Sequence, residues 1–316
     1  MKLESTRTAA TKALIQLAEK DPEIVLVCSD SILVIKGNPF VERFPDRYFD
    51  VGIAEQNAVC CAAGLAACGF TPFMTTYAGF ITMRACEQVR TFVAYPGLNV
   101  KMIGANGGIA AGEREGVTHQ FFEDLGILRT IPGITVVVPA DAGQVKEAVR
   151  AVAQAEGPAY VRIGSGRDPV VFEEPMGFEL GKARVLKSTG QDVALFANGR
   201  VLRRVFEAAE ELQRTGIGTT VVEVHTLKPL DVDMITEVLD NTGAAVTVED
   251  HNIIGALGSA IAEVAAEAKP APVIRIGLRD IYPRSGTPEE LLDHYKIGVS
   301  DIVAGAQKAV GMKENR

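Results

Sequence analysis

The sequence predicts an α/β protein of two successive three-layer domains, and three observations carry that prediction. Short apolar, β-branched runs alternate with stretches of helical periodicity, the pattern of parallel strands joined by crossover helices that cover both faces of a sheet. The pattern breaks once, in a proline- and glycine-containing stretch from about Gly164 to Gly190, and then restarts. The 316 residues are 47% hydrophobic and 23% charged, which suffices for two cores. The expected division is a first domain at 1–170, a linker at 171–190 and a smaller second domain at 191–316.

The N-terminal stretch carries charges throughout and places Leu14, Leu17 and Ala18 at helical spacing, so it reads as an amphipathic helix and lacks the apolar block of a signal peptide. Strands are expected at Glu23–Cys28, Tyr48–Val51, Gly69–Thr76, Asn99–Gly104, Ile134–Val138 and Ala159–Ile163. Between them fall helices from Glu55, at Phe80–Ala94 with Arg84, Glu87 and Arg90, at Phe121–Leu128 and at Ala142–Ala155. In the second domain, strands at Asp192–Ala197, Thr219–Val224, Ala244–Val248 and Val273–Ile276 alternate with helices at Val201–Arg214, Val232–Leu239 and Ala256–Ala268.

The stretch Phe49–Gly69 stands out because it sets one carboxylate, Glu55, at the first turn of a helix of small apolar residues. Neither face of that helix reads as polar, so an interior helix is expected. A carboxylate there suits the helix dipole. Unpaired and buried, it would cost several kcal/mol and tend to hold its proton, the condition of a working acid. Tyr77 and Phe80 follow a strand and open a helix at the level where the Glu55 helix must begin, so a flat heterocycle could stack there with a ring nitrogen facing Glu55. Core packing is the alternative reading of the same two rings.

Histidine is scarce, four in all. His119 ends a glycine-rich loop beyond the carboxyl end of a strand, where parallel sheets place ligands. His251 occupies a similar turn and reads as a structural hydrogen-bonding residue; His225 and His294 read as ordinary core or surface residues. No histidine has zinc-ligand spacing with a cysteine or acid, no GxSxG elbow is present, and the Gly104–Gly108 loop lacks the features of a P-loop. The net charge of -8 and the lack of a Lys/Arg block argue against nucleic-acid and membrane partners. The five cysteines read as core residues of a cytoplasmic, reducing compartment.

Taken in order, VGIAEQN, YAGF, THQFFEDLGILRTIPGITVVVPAD and VEDHNIIGALGSAIAEV resemble the C-terminal half of transketolase over nearly the whole chain. The resemblance implies a thiamine diphosphate pyrimidine-binding domain at about 5–165 and a transketolase C-terminal-like domain from about 190. It implies that Glu55 hydrogen-bonds the cofactor's aminopyrimidine, favouring the imino tautomer that generates the nucleophilic ylide. Tyr77 and Phe80 would lie against that ring, and Asp30 near the cofactor across a subunit interface. His119 would contact sugar hydroxyl groups. Where transketolases usually have Asp before Thr-His-Gln, this chain has Glu115, preceded by Arg114, which bears on donor specificity. The family's phosphate-binding arginine falls near Ser165, leaving Arg167 as the candidate.

Full-length transketolase binds the diphosphate through Mg2+ with a Gly-Asp-Gly motif, and this sequence contains none. The resemblance therefore implies a separate N-terminal subunit carrying the metal ligands, self-association as a dimer within a heterotetramer, and two-carbon ketol transfer between sugar phosphates. Rival readings are the beta chain of a 2-oxoacid dehydrogenase decarboxylase, a deoxyxylulose-phosphate synthase half, and a non-catalytic transketolase-like partner.

Overall fold

A computed structural model describes residues 2–111 and 116–315. The first half runs β1 (Leu3–Glu4), α1 (Thr6–Ala18), β2 (Ile24–Cys28), α2 (Asn38–Arg43), β3 (Tyr48–Asp50), α3 (Glu55–Ala67), β4 (Thr71–Tyr77), α4 (Cys86–Gln88), β5 (Lys101–Ala105), α5 (Asp124–Thr130), β6 (Thr135–Val137), α6 (Ala142–Gln154) and β7 (Ala159–Arg162). Its strands lie in the order β6-β7-β5-β4-β2-β3, all parallel. From β2 the chain steps to one side, to β3; from β4 it steps to the other, to β5. The carboxyl ends of β2 and β4 therefore flank a topological switch point, the crevice where open parallel sheets hold ligands.

The run Ile-Val-Leu-Val-Cys of β2 is buried at every position because helices cover both faces. Leu26, Cys28, Ile103 and Val161 face α1 and α6, meeting Ala13, Leu14, Val145 and Val149. Val27, Met74 and Met102 face the other way, onto Ala58, Val59 and Ala62 of α3. Ser5 caps α1 by accepting from the Thr8 N–H, and Asp141 caps α6 by accepting from that of Gln144.

Two expected helices differ in form. Only one side of α3 is interior: Gln56, Asn57, Cys60, Gly64 and Ala67 are exposed, since small side chains left no periodicity to mark the outer face. Cys60 and Cys68 are exposed too, so they are not the core residues expected from composition, whereas Cys28 is buried. The Phe80–Ala94 helix is not regular. Wide π-turns at Phe80–Arg84 and Val89–Ala94 flank α4, closed by Ala85 N–H on Phe80 O (3.2 Å) and Tyr95 N–H on Arg90 O (2.9 Å).

The second half contains β8 (Asp168–Pro169), β9 (Arg184–Ser188), β10 (Val193–Ala197), α7 (Leu202–Arg214), β11 (Thr219–Glu223), β12 (Thr226–Lys228), α8 (Val232–Thr242), β13 (Ala245–Asn252), α9 (Leu257–Glu267), β14 (Val273–Leu278), α10 (Pro288–His294) and α11 (Val299–Glu314). The stretch read as a plain connection thus contains two strands: β8 pairs antiparallel with β1, and β9 antiparallel with β11. The second sheet, β14-β13-β10-β11-β9, is otherwise parallel. β12 does not join it. It pairs antiparallel with β6 at the edge of the first sheet, so that sheet is mixed, and Lys228 donates to the carbonyls of Arg129 and Ile131. Leu257, Ala260 and Ile261 of α9 share one apolar core with Leu125, Leu128 and Val136. Among the described residues no helix is long and apolar enough to cross a membrane.

Candidate active site

At the switch point the loops after β2 and β3 are tied together. Ser31 Oγ donates to Thr75 O (2.9 Å), fastening the β2 loop to β4. The Asp50 carboxylate accepts from the Asp30 N–H (2.9 Å), the Gly52 N–H (2.9 Å) and the Tyr48 hydroxyl (2.6 Å). Partial desolvation works against its charge, but these hydrogen bonds prevail and hold the carboxyl below its usual range. Asp30 itself has φ 50°, a left-handed turn that aspartate tolerates.

Glu55 opens α3 five residues later, and its side chain is 3% exposed. It is not unpaired, as the sequence led us to expect: Arg84 Nη1 donates to Glu55 Oε2 at 2.9 Å. The Arg84 side chain is 47% exposed and its guanidinium carbon lies 4.1 Å from the centroid of the Phe80 ring. The π-turn that ends at Arg84 keeps both residues on one side of the segment.

Beside this pair stands a box of rings. Tyr77 and Phe80 meet edge to face at 5.5 Å, and His119 stands edge-on to both, at 4.9 and 5.4 Å. Thr118 Oγ1 lies 3.0 Å from His119 Nδ1. Phe121 closes the box, 5.4 Å from Phe80 and 6.4 Å from Tyr77. That closure requires Gly79, since a Cβ there would lie 2.0 Å from Phe121 Cδ1. Behind Phe121, the buried Arg162 donates to the Phe121 carbonyl (2.8 Å), to the Asp250 carbonyl (3.0 Å) and to both oxygens of Asp124 (3.0 Å each), which also accepts from the Tyr160 hydroxyl (2.7 Å). Burial works against the Arg162 charge, but the carboxylates of Asp124 and Asp250 outweigh it and raise its pKa.

The structure thus brings together Glu55, Tyr77, Phe80 and His119. Asp30 sits at the same strand ends, exposed, with its described bond going to Asp50. Arg167 is exposed between β7 and β8, and no described contact links it to the rings. Glu115 and Arg114 lie outside the described residues. His251 is structural: Nδ1 bonds Asn252 O (2.6 Å), Nε2 accepts from the Gly126 N–H (3.3 Å), and burial pushes it down to about 4. His225 is a core residue stacked on Phe178 at 4.1 Å. Arg84, Phe121 and Asp50 are the site residues that sequence reasoning missed. Phe121 was signalled only by its place two residues after His119. Among the described residues no group of three or more His, Cys, Asp or Glu could hold a metal ion.

Comparison with known proteins places this geometry. Residues 4–166 match the family described as transketolase, pyrimidine binding domain, and residues 181–302 match transketolase, C-terminal domain. The chain belongs to the transketolase family. A 6-deoxy-6-sulfo-D-fructose transketolase subunit from Clostridium sp. (strain MSTE9) is 39% identical over 303 residues, covering 96% of this chain and 94% of that protein. An apulose-4-phosphate transketolase subunit from Phocaeicola vulgatus is 35% identical over 305 residues, covering 96% of this chain and 97% of that protein. A solved split-gene transketolase, described as an inactive beta4 tetramer, is 41% identical with a TM-score of 0.90, covering 98% of this chain and 99% of that one. The box of Glu55, Tyr77, Phe80 and His119 therefore lies within the residues that match the pyrimidine-binding domain, at the switch point of its sheet.

Proposed function

We propose that this chain is the C-terminal (beta) subunit of a split thiamine diphosphate-dependent transketolase, moving a two-carbon ketol unit between sugar phosphates. The observation that carries the reading is a buried carboxylate set beside a box of rings at the switch point of a pyrimidine-binding domain. That set suits an aminopyrimidine: Glu55 offers an acceptor or a shared proton to a ring nitrogen, while Tyr77 and Phe80 offer apolar faces. Bound thiamine diphosphate would supply the nucleophilic carbon that takes up the two-carbon unit. Glu55 holds the proton at the ring nitrogen, His119 at the mouth of the box orients sugar hydroxyl groups, and Phe121 keeps water from the rings.

The diphosphate and its Mg2+ are assigned to a separate N-terminal subunit, because this sequence has no Gly-Asp-Gly motif. Self-association within a heterotetramer fits the similar split transketolase, which was solved as a tetramer of its beta chain and described as inactive. Asp30, at the strand ends, would approach the cofactor across that interface. We assign donor reading to Glu115 and place Arg167 toward the substrate phosphate. Two similar proteins are named for 6-deoxy-6-sulfo-D-fructose and for apulose-4-phosphate, so both compounds belong in the substrate panel. All five cysteines are free thiols, in keeping with the cytoplasm.

The test is reconstitution with the N-terminal subunit, Mg2+ and thiamine diphosphate, assayed against ketose phosphate donors and against 2-oxoacids. The expected result is ketol transfer that falls by about two to four powers of ten in Glu55→Ala. Full activity in that variant, or decarboxylation of a 2-oxoacid instead, would overturn the reading.

A further inference from the structure

Arg84 lies where a flat heterocycle facing Glu55 would have to lie. Its guanidinium presents to this corner what an aminopyrimidine would present: a planar π-system 4.1 Å from the Phe80 centroid, and an N–H 2.9 Å from Glu55 Oε2. A ring face covered in this way has no room for a second planar group, and Glu55 Oε2 already gives one of its acceptor positions to Arg84. We infer that Arg84 is an internal occupant of the aminopyrimidine seat, closing the Glu55–Phe80 corner until the cofactor displaces its side chain. The inference rests on the role given to Glu55 and Phe80 above.

Three details say that the side chain moves and the backbone stays. The Arg84 carbonyl accepts from Gln56 Nε2 at 3.2 Å, tying that point of the chain to the first turn of α3. Ile81 and Thr82, within the same π-turn, are fully buried. The Arg84 side chain, by contrast, is 47% exposed, so water can receive the guanidinium once it swings out. The holding force is modest. An ion pair with one exposed partner and a cation–π contact each shift an equilibrium by roughly two- to fivefold, so the two together oppose the incoming ring by about tenfold.

The test measures cofactor binding without turnover, by titration calorimetry of thiamine diphosphate and Mg2+ into the reconstituted complex. Arg84→Ala should bind about tenfold more tightly than the wild type, and Arg84→Lys, which keeps the charge but loses the planar fork, should fall between them. Weaker binding by Arg84→Ala would overturn the inference and make Arg84 a residue that positions Glu55; unchanged binding would overturn it as well. Glu55→Ala is measured in parallel. If Glu55→Ala weakens binding while Arg84→Ala does not strengthen it, this inference alone fails. If Glu55→Ala leaves binding untouched, the assignment of the seat fails with it.

Discussion

Replacing Asp124 by Asn probes the polar layer that holds the ring box from behind. The Asp124 carboxylate has no solvent exposure and accepts three hydrogen bonds, two from Arg162 and one from Tyr160. Arg162 is almost as deeply buried, at 5% side-chain exposure. Asparagine keeps the shape but turns an N–H toward the guanidinium and leaves a buried cation with only the more weakly acting carboxylate of Asp250. Removing one partner of such a pair costs about 3–5 kcal/mol, because the remaining charge stays desolvated. Losing only the hydroxyl, in Tyr160→Phe, costs about 1 kcal/mol. In a chain this long the Asp124→Asn loss corresponds to a drop in Tm of roughly 5–8 °C. Urea unfolding of the two variants side by side checks the ordering. A loss below about 1 kcal/mol for Asp124→Asn, or a larger loss for Tyr160→Phe, would refute the reasoning. The same change should loosen Phe121, whose carbonyl Arg162 holds.

Gly79→Ala inserts a Cβ 2.0 Å from the Phe121 ring and should cost about 1–3 kcal/mol while opening the box, read as weaker cofactor binding in the complex with a lowered Tm. Asp50→Ala strips the acceptor from the amides of Asp30 and Gly52 and from Tyr48. It should lower stability by about 1–2 kcal/mol and speed amide exchange at Asp30 and Gly52. Glu223 predicts a pH effect: burial pushes its carboxyl from 4.5 up to about 7, against the hydrogen bond from Gln144. The folded chain then keeps a proton that the unfolded chain loses between those values, so stability falls as pH rises from 4.5 to 7. Glu223→Gln should remove that part of the slope, gaining up to about 3 kcal/mol at pH 8 relative to pH 4, as read by urea midpoints.

The central strands were legible because a doubly covered parallel strand must be apolar at every position, as in Ile24–Cys28 and Val193–Ala197. β8 and β12 were not, since each is short and defined by a partner far away in sequence, and Thr226–Lys228 has only Leu227 as an apolar residue; β9, at the sheet edge, was missed because none of its residues is buried and its run Arg-Val-Leu-Lys-Ser is mostly polar. The π-turns left no mark, because one added residue per turn shifts a helical pattern by less than substitution noise. At the site, strand ends and motif spacing pointed to Glu55, Tyr77, Phe80 and His119. The partner of Glu55 was hidden because Arg84 reaches it by packing across 29 residues of sequence. Phe121 reads as an ordinary core residue until Gly79 lets it close on Phe80.

The exchange of β12 bears on how this chain can be cut and how it can move. Val138 N–H bonds His225 O at 2.8 Å, and Thr226 and Lys228 pair with Val137 and Val136, so the second half completes the sheet of the first. A fragment ending near residue 170 would leave β6 with a bare row of backbone donors and acceptors, an invitation to wrong pairing. The two family domains are separable in sequence but not in mechanics. Hinge opening between them would have to break a ladder and a common core, so the two halves form a single stiff wall.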